Sequence, residues 1–353
     1  MNQKLIIGIT QGDTNGIGYE VIIKSLLDNR MIEIFTPVIY GSSKFIAYYK
    51  KMIEGAESFA VHVVNTASDV HPKRINLVQC VPDHFIVEPG KRSQEGAKAA
   101  LSALQTAVQD LKTNKIQALV TAPFSKQTVH EGGFAFPGHT EFLANSFNVP
   151  HYIMLLCSNV MRIGVATGHI PIAGIKTQLT EDLIIQKIKQ LNNTLQFDFQ
   201  ITKPKIAVLG LNPHAGDGGV LGNEEQQIII PAIAKATQQG ILAFGPYAAD
   251  GFFGSMAFSA FDAILAMYHD QGLVPFKTIS FHNGYNFTAG LPIIRTSPDH
   301  GTAYDLAGAD KASPESMIAA LYAANDLYKS RIQYKELKKN VLKTTLPEGA
   351  QAG

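Results

Sequence analysis

The chain has no tryptophan and only two cysteines, Cys80 and Cys157, in 353 residues. They lack CxxC spacing, which sets aside thiol redox chemistry and zinc ribbons and leads us to expect a reduced, cytoplasmic setting. No stretch approaches the roughly 18 uninterrupted apolar residues of a membrane span. The opening "MNQKLIIGIT" holds too short an apolar run for a signal peptide. Neither sign of charge dominates: Lys+Arg 30 stand against Asp+Glu 29, and basic residues gather only in pairs such as Lys91-Arg92 and Lys338-Lys339. Nucleic acid and membrane are therefore not expected partners.

Several catalytic signatures are missing too. No GxSxG occurs, so a serine hydrolase built on a nucleophile elbow is set aside. "GDTNGIGYE" (12–20) carries Gly12, Gly16 and Gly18 after an apolar run, but it has no Gly-Lys-Ser/Thr of a P-loop. The third glycine of a dinucleotide fingerprint would fall on Val21, so no classical Rossmann fingerprint is present. Repeats and low-complexity linkers are absent as well.

What is present reads as a globular α/β chain. Its length exceeds the roughly 250–300 residues at which one core stops growing, so two lobes are expected, with boundaries near Pro123 and Pro298. Apolar, β-branched runs recur at 5–10, 37–41, 61–65, 118–122, 153–158, 162–167, 205–211 and 263–268. Strands of this composition are buried on both faces. Helical patterns lie between them at 93–115, 180–195 and 223–240, with Ser93 and Thr180 as caps and Gly240 as a stop. Alternation of the two argues for a largely parallel sheet. A long amphipathic helix follows from 313 to 340, then a polar tail "LPEGAQAG" that should fray.

Three of the runs lead into a histidine: "RIGVAT" into Gly168-His169, "KIAVLGL" into Asn212-Pro213-His214, and "AILAMY" into His269-Asp270. Ligands of parallel sheets sit outside the carboxyl ends of the strands. Three imidazoles meeting there would leave a fourth position open on a divalent metal; three separate hydrogen-bonded loop histidines is the plainer alternative. If His269 and Asp270 continue the strand, they point to opposite sides, and Asp270 does not orient His269. "FPGHTEFLAN" places His139 and Thr140 at a helix start, as an anion site or, more simply, with Thr140 as the N-cap. Lys277, Asn286 and Arg295 are further groups able to hold an acidic substrate, although each taken singly reads as a surface side chain. The glycines of "GLNPHAGDGGVLGNEE" (210–225) permit either close approach to a ligand or simple turns.

Taken in order, "QGDTNGIGYE", "GHTEFLA", "TGHIPI", "GLNPHAGDGGVLGNEE", "GPYAADGFF", "YHDQGLVPFK" and "GLPIIRTSPDHGTAYDLAG" resemble the motif series of the 4-hydroxythreonine-4-phosphate dehydrogenase (PdxA) family, from about residue 7 to 310. The resemblance implies a two-lobed α/β/α fold similar to isocitrate and isopropylmalate dehydrogenases. It also implies a homodimer with active sites at the subunit interface, NAD (or NADP) as oxidant, and one divalent metal ion (Zn, Mg, Mn or Co). Residues 1–124 with 298–353 would form the NAD-side lobe, and 125–297 the metal, substrate and dimer lobe. Carried over by motif, His169, His214 and His269 are metal ligands. His139, Thr140, Lys277, Asn286 and Arg295 are substrate contacts, and His300, Gly301 and Thr302 lie near NAD. Asp250, Asp270 and Lys277 are the candidates for the catalytic proton acceptor. The implied reaction oxidises C3 of 4-phosphooxy-L-threonine and releases CO2. A paralogue acting on phosphothreonate or phosphoerythronate, and a non-catalytic binder of a phosphorylated metabolite, are the alternatives. The chain departs from the usual pattern in "GDTNGIGYE", in "GGVLGNEE", which lacks a common histidine, and at Gly251, where threonine is usual.

Overall fold

The computed structural model describes residues 4–82 and 84–339. The polar tail expected to fray lies outside them. Within them the strands are β1 Ile6–Thr10, β2 Thr36–Gly41, β3 His62–Val64, β4 Asn76–Gln79, β5 Ala118–Thr121, β6 Ile153–Cys157, β7 Arg162–Val165, β8 Lys205–Leu209, β9 Leu242–Tyr247, β10 Ala263–Ala266, β11 Tyr285–Ala289 and β12 Ile294–Pro298. They form one sheet in the order β3-β4-β2-β1-β5-β12-β11-β6-β7-β10-β8-β9.

Pairing is largely parallel, as the alternation of elements predicts. The exceptions sit in the middle, where β11 runs antiparallel to both β6 and β12, and β6 antiparallel to β7. Each of the eight apolar runs forms a strand, because β-branched side chains pack on both faces beneath helices. Four strands escaped that pattern: β4, β9, β11 and β12. The last two, "YNFTA" and "IRTSP", are too polar to announce themselves.

The helices fall where their caps place them. Gln94–Lys112 starts on Ser93, whose side chain accepts from the Gly96 amide, and Glu181–Phe197 starts on Thr180, which accepts from Leu183. The 223–240 pattern resolves into a π-helical turn, Glu225–Ile229, that runs into a helix Ile230–Gln238. The C-terminal helix Glu315–Lys339 buries Met317, Ala320, Leu321, Ala324 and Leu327, a single stripe at helical spacing, and packs on β12.

The glycines at 12–18 are structural. A Cβ on Gly18 would lie 2.2 Å from the Gln11 carbonyl oxygen, and one on Gly12 would lie 2.4 Å from that of Pro123. This turn clamps the loop after β12: the Ile17 amide donates to Thr302 O at 3.0 Å, and the Tyr304 hydroxyl donates to buried Asp13 at 2.7 Å.

Candidate active site

β10 lies between β7 and β8 and is parallel to both, so the three histidine-bearing strands are neighbours with their carboxyl ends on one edge. Beyond β7 the pairing continues: Ala166 N donates to Ala266 O, and Thr167 donates to Met267 O from both its amide and its hydroxyl, the latter at 2.7 Å. His169 and His269 each stand two residues past that tie. Their ring centroids are 5.2 Å apart.

The run "YHDQ" does not continue the strand; it opens the helix His269–Ser280, with Tyr268 as the N-cap residue. Gln271 secures that start, accepting from the Met267 amide at 2.7 Å and donating to Gly210 O, beyond β8, at 2.6 Å. Because the chain turns helical there, Asp270 and His269 are not on opposite sides. Asp270 Oδ1 is 2.6 Å from His269 Nδ1, which corrects the strand-based expectation and leaves Nε2 of His269 open. On the other ring, His169 Nε2 is 3.3 Å from Lys126 Nζ, and burial together with that ammonium lowers the His169 pKa.

His214 does not join them. Residues 214–218 all take left-handed backbone angles, with φ of 51, 51, 84, 43 and 64°, three of them non-glycine. This turn is held by buried Glu225, which accepts from the Leu211 and Asn212 amides at 2.7 Å each. The glycines here are packing devices, since a Cβ on Gly216 would lie 2.6 Å from Glu225 Oε2. His214 is left exposed. Asp250 is exposed on the helix Ala249–Gly254, which packs against the same turn. Among the described residues no three His, Cys, Asp or Glu side chains gather as a metal cluster.

Next to the histidine pair lies a cavity of about 710 Å³. It brings together His139, Thr140, His169, His269, Lys277, Asn286, Arg295, His300 and Gly301. A smaller cavity of about 210 Å³ is lined by Asp270, Tyr268, His169 and His269. Thr302, His214 and Asp250 line neither; Thr302 packs behind the wall, where a Cβ on Gly16 would approach its carbonyl to 2.8 Å.

One end of the large cavity is built around Arg295, 6% exposed. Its Nη2 and Nε donate to Thr121 Oγ1 at 2.6 and 3.1 Å, and its Nη1 to Thr288 Oγ1 at 3.2 Å. The Thr140 hydroxyl is 3.3 Å from Thr288, so Thr140 is not the helix cap; Gly138 is. Arg295 has no carboxylate ion pair among the described residues, and burial lowers its pKa to about 10. His139 stacks on Phe124 at 3.8 Å, and burial with Arg295 and Lys126 nearby holds its pKa well below the ordinary value. A buried guanidinium satisfied only by hydroxyls is unfinished without an anion.

At the other end Lys277 donates to Asp299 O at 3.4 Å, and Asn286 donates to Pro298 O at 3.4 Å and Asp299 Oδ1 at 3.3 Å. Arg295, Ser297 and Asp299 all line the cavity because they alternate along β12 and its continuation. Asp299, Lys126 and Glu141 are cavity residues that sequence reasoning missed. Asp299 sits directly before the recognised His300-Gly301, so the position was within reach.

Fold and site together define an α/β enzyme whose sheet edge carries a cavity lined by cationic side chains beside a pair of histidines. Residues 33–324 match the family of the pyridoxal phosphate biosynthetic protein PdxA, and the chain belongs to that family. A 4-hydroxythreonine-4-phosphate dehydrogenase from Bacteroides thetaiotaomicron is 48% identical, over 96% of this chain and 93% of that relative. A relative from Oceanobacillus iheyensis, provisionally named a D-threonate 4-phosphate dehydrogenase, is 38% identical over 93% and 99%. The crystal structure of the 4-hydroxythreonine-4-phosphate dehydrogenase from Klebsiella pneumoniae superimposes with a TM-score of 0.80 at 32% identity, covering 93% of this chain and 99% of that one.

Proposed function

We propose that the chain is a nicotinamide-dependent 4-hydroxythreonine-4-phosphate dehydrogenase of pyridoxal 5'-phosphate biosynthesis. On this reading it oxidises C3 of 4-phosphooxy-L-threonine and releases CO2 to give 3-amino-2-oxopropyl phosphate. The observation that carries the reading is Arg295, a buried cation with no carboxylate ion pair among the described residues, at the end of a cavity large enough for substrate.

Arg295, His139 and Thr140 take the phosphate. They hold it away from the reacting carbon, so binding there fixes C3 against the oxidant. Lys277 supplies a point charge at the opposite end, and Asn286 a neutral donor. His300 and Gly301 would hold NAD or NADP on their side of the cavity, with Thr302 in the loop behind, and the nicotinamide would supply the hydride acceptor. The lobes on this reading are 1–124 with 298–353, and 125–297.

His169 and His269 fit a divalent ion. Their rings are 5.2 Å apart, and Asp270 engages Nδ1 of His269, the arrangement that points the remaining nitrogen at a metal. Such an ion supplies Lewis-acid polarisation of the C3 oxygen. The third histidine, His214, is exposed on a strained turn, and Ile172 and Val220, each 80% exposed, follow His169 and His214 closely in the chain. Apolar exposure of that kind suits a second copy of the chain. His214 then completes the site of a neighbouring subunit in a homodimer, and Asp250 travels with it. Of Lys277, Asp250 and Asp270, Lys277 lines the large cavity within one chain.

The test is reduction of NAD or NADP with 4-phosphooxy-L-threonine, with and without a chelator and re-added metal. Absence of NAD(P)H formation with metal present overturns the reading.

A further inference from the structure

The large cavity is lined by four cationic side chains, Lys126, Lys187, Lys277 and Arg295, and by two carboxylates, Glu141 and Asp299. Glu141 belongs to the helix that begins with His139 and Thr140, and its charge is felt by Arg295, so it stands at the phosphate end. Asp299 stands at the opposite end, with Lys277 and Asn286.

The Asp299 side chain is only 10% exposed, yet its contacts are long: Oδ1 is 3.3 Å from Asn286 Nδ2 and 3.7 Å from Lys277 Nζ. Charge-assisted bonds close to roughly 2.7–2.9 Å. Oδ2 has no hydrogen-bond partner among the described residues, and it is not among the sealed, unsatisfied atoms. A carboxylate accepts several hydrogen bonds, so Asp299 has capacity facing the cavity.

We propose that Asp299 is the specificity-determining residue that receives the substrate's ammonium group and so separates amino from non-amino phosphorylated hydroxy acids. The inference rests on the dehydrogenase reading above. With the phosphate at Arg295, the far end of the substrate carries C1 and C2. Lys277 meets the C1 carboxylate there, and Asp299 meets whatever stands on C2. An ammonium pairs with the buried carboxylate; a hydroxyl in the same place gives one neutral donor and no charge compensation.

The experiment compares 4-phosphooxy-L-threonine with the matching 4-phosphorylated threonate and erythronate, in wild type and Asp299→Asn. In the variant, kcat/KM for the amino acid is expected to fall on the order of 10- to 100-fold, while the non-amino acids change less than about threefold. Asp299→Glu keeps the amino preference, and Glu141→Gln moves all substrates together. An equal loss on every substrate would make Asp299 a support for Lys277 and Asn286 and overturn the proposal, as would no change at all. Thermal melting checks that the variant folds; should Asp299→Asn not fold, Asp299→Ser is read by the same ratio. Wild-type protein that reduces no nicotinamide with any of the acids overturns the dehydrogenase reading instead.

Discussion

Arg295 on β12 places its Nη2 2.6 Å and its Nε 3.1 Å from one hydroxyl, that of Thr121 at the end of the neighbouring parallel strand β5. A buried cation is held ready by a neutral acceptor rather than cancelled by a carboxylate. Arg295→Lys should therefore fold but lose the fork that fits a phosphate, with KM for the phosphorylated substrate rising about 100-fold. Thr121→Val removes the acceptor and should cost about 1–3 kcal/mol in thermal or urea unfolding. An unchanged KM in Arg295→Lys would remove Arg295 from the substrate site.

The proposed sharing of metal ligands between two subunits predicts a specific pattern of complementation. His169→Ala and His214→Ala homodimers should both be inactive. Mixed and re-associated in equal amounts, they should regain about a quarter of wild-type activity, because half the dimers carry one intact site of two. His169→Ala mixed with His269→Ala should regain none, since both lesions then fall on the same chain's contribution. Recovery in the second mixture rather than the first would reverse the assignment of His214 to the partner.

The depressed pKa of His139 gives a stability prediction with a definite sign. Above the ordinary value of 6.5 the ring is neutral in both folded and unfolded chains and contributes nothing to pH dependence. As pH falls below that value the unfolded chain takes up the proton while the folded one resists, so unfolding is favoured. Wild-type stability should drop between pH 6.5 and about 5, by at most about 1.4 kcal/mol per pH unit from this group. His139→Asn should show a shallower slope over the same window. Parallel slopes in urea titrations would contradict a half-buried histidine held neutral.

Two glycines separate packing from mere flexibility. A Cβ on Gly18 meets the Gln11 backbone oxygen at 2.2 Å, which cannot swing away, whereas one on Gly251 meets nothing within 4 Å. Gly18→Ala should destabilise by roughly 1–3 kcal/mol or prevent folding. Gly251→Ala lies inside the helix Ala249–Gly254 and should stabilise by about 0.5–1 kcal/mol. Equal melting temperatures for the two variants would refute the contrast.

Much of the fold was legible in the chain. Apolar β-branched runs marked eight of the twelve strands among the described residues, and Ser93 and Thr180 marked two helix starts, because burial on both faces and side-chain capping leave local traces. β11 and β12 left none. Asn286, Thr288, Arg295 and Ser297 serve the cavity, so their strands lack the apolar pattern of a buried ladder.

By itself the sequence determined that His169, His214 and His269 follow strands, and it supplied the ordered motifs of a family. Only the tertiary structure decided which of them meet. The Thr167–Met267 tie brings His169 to His269, whereas a left-handed turn braced by Glu225 carries His214 outward. Strand order and the burial of Arg295 arise from contacts between residues 100 or more apart, such as Thr167 with Met267 and Thr121 with Arg295, and the backbone handedness beyond β8 from the brace that Glu225 supplies to Leu211 and Asn212. A local pattern does not record such contacts, because the free energy that selects them is gained only when the distant partners pack.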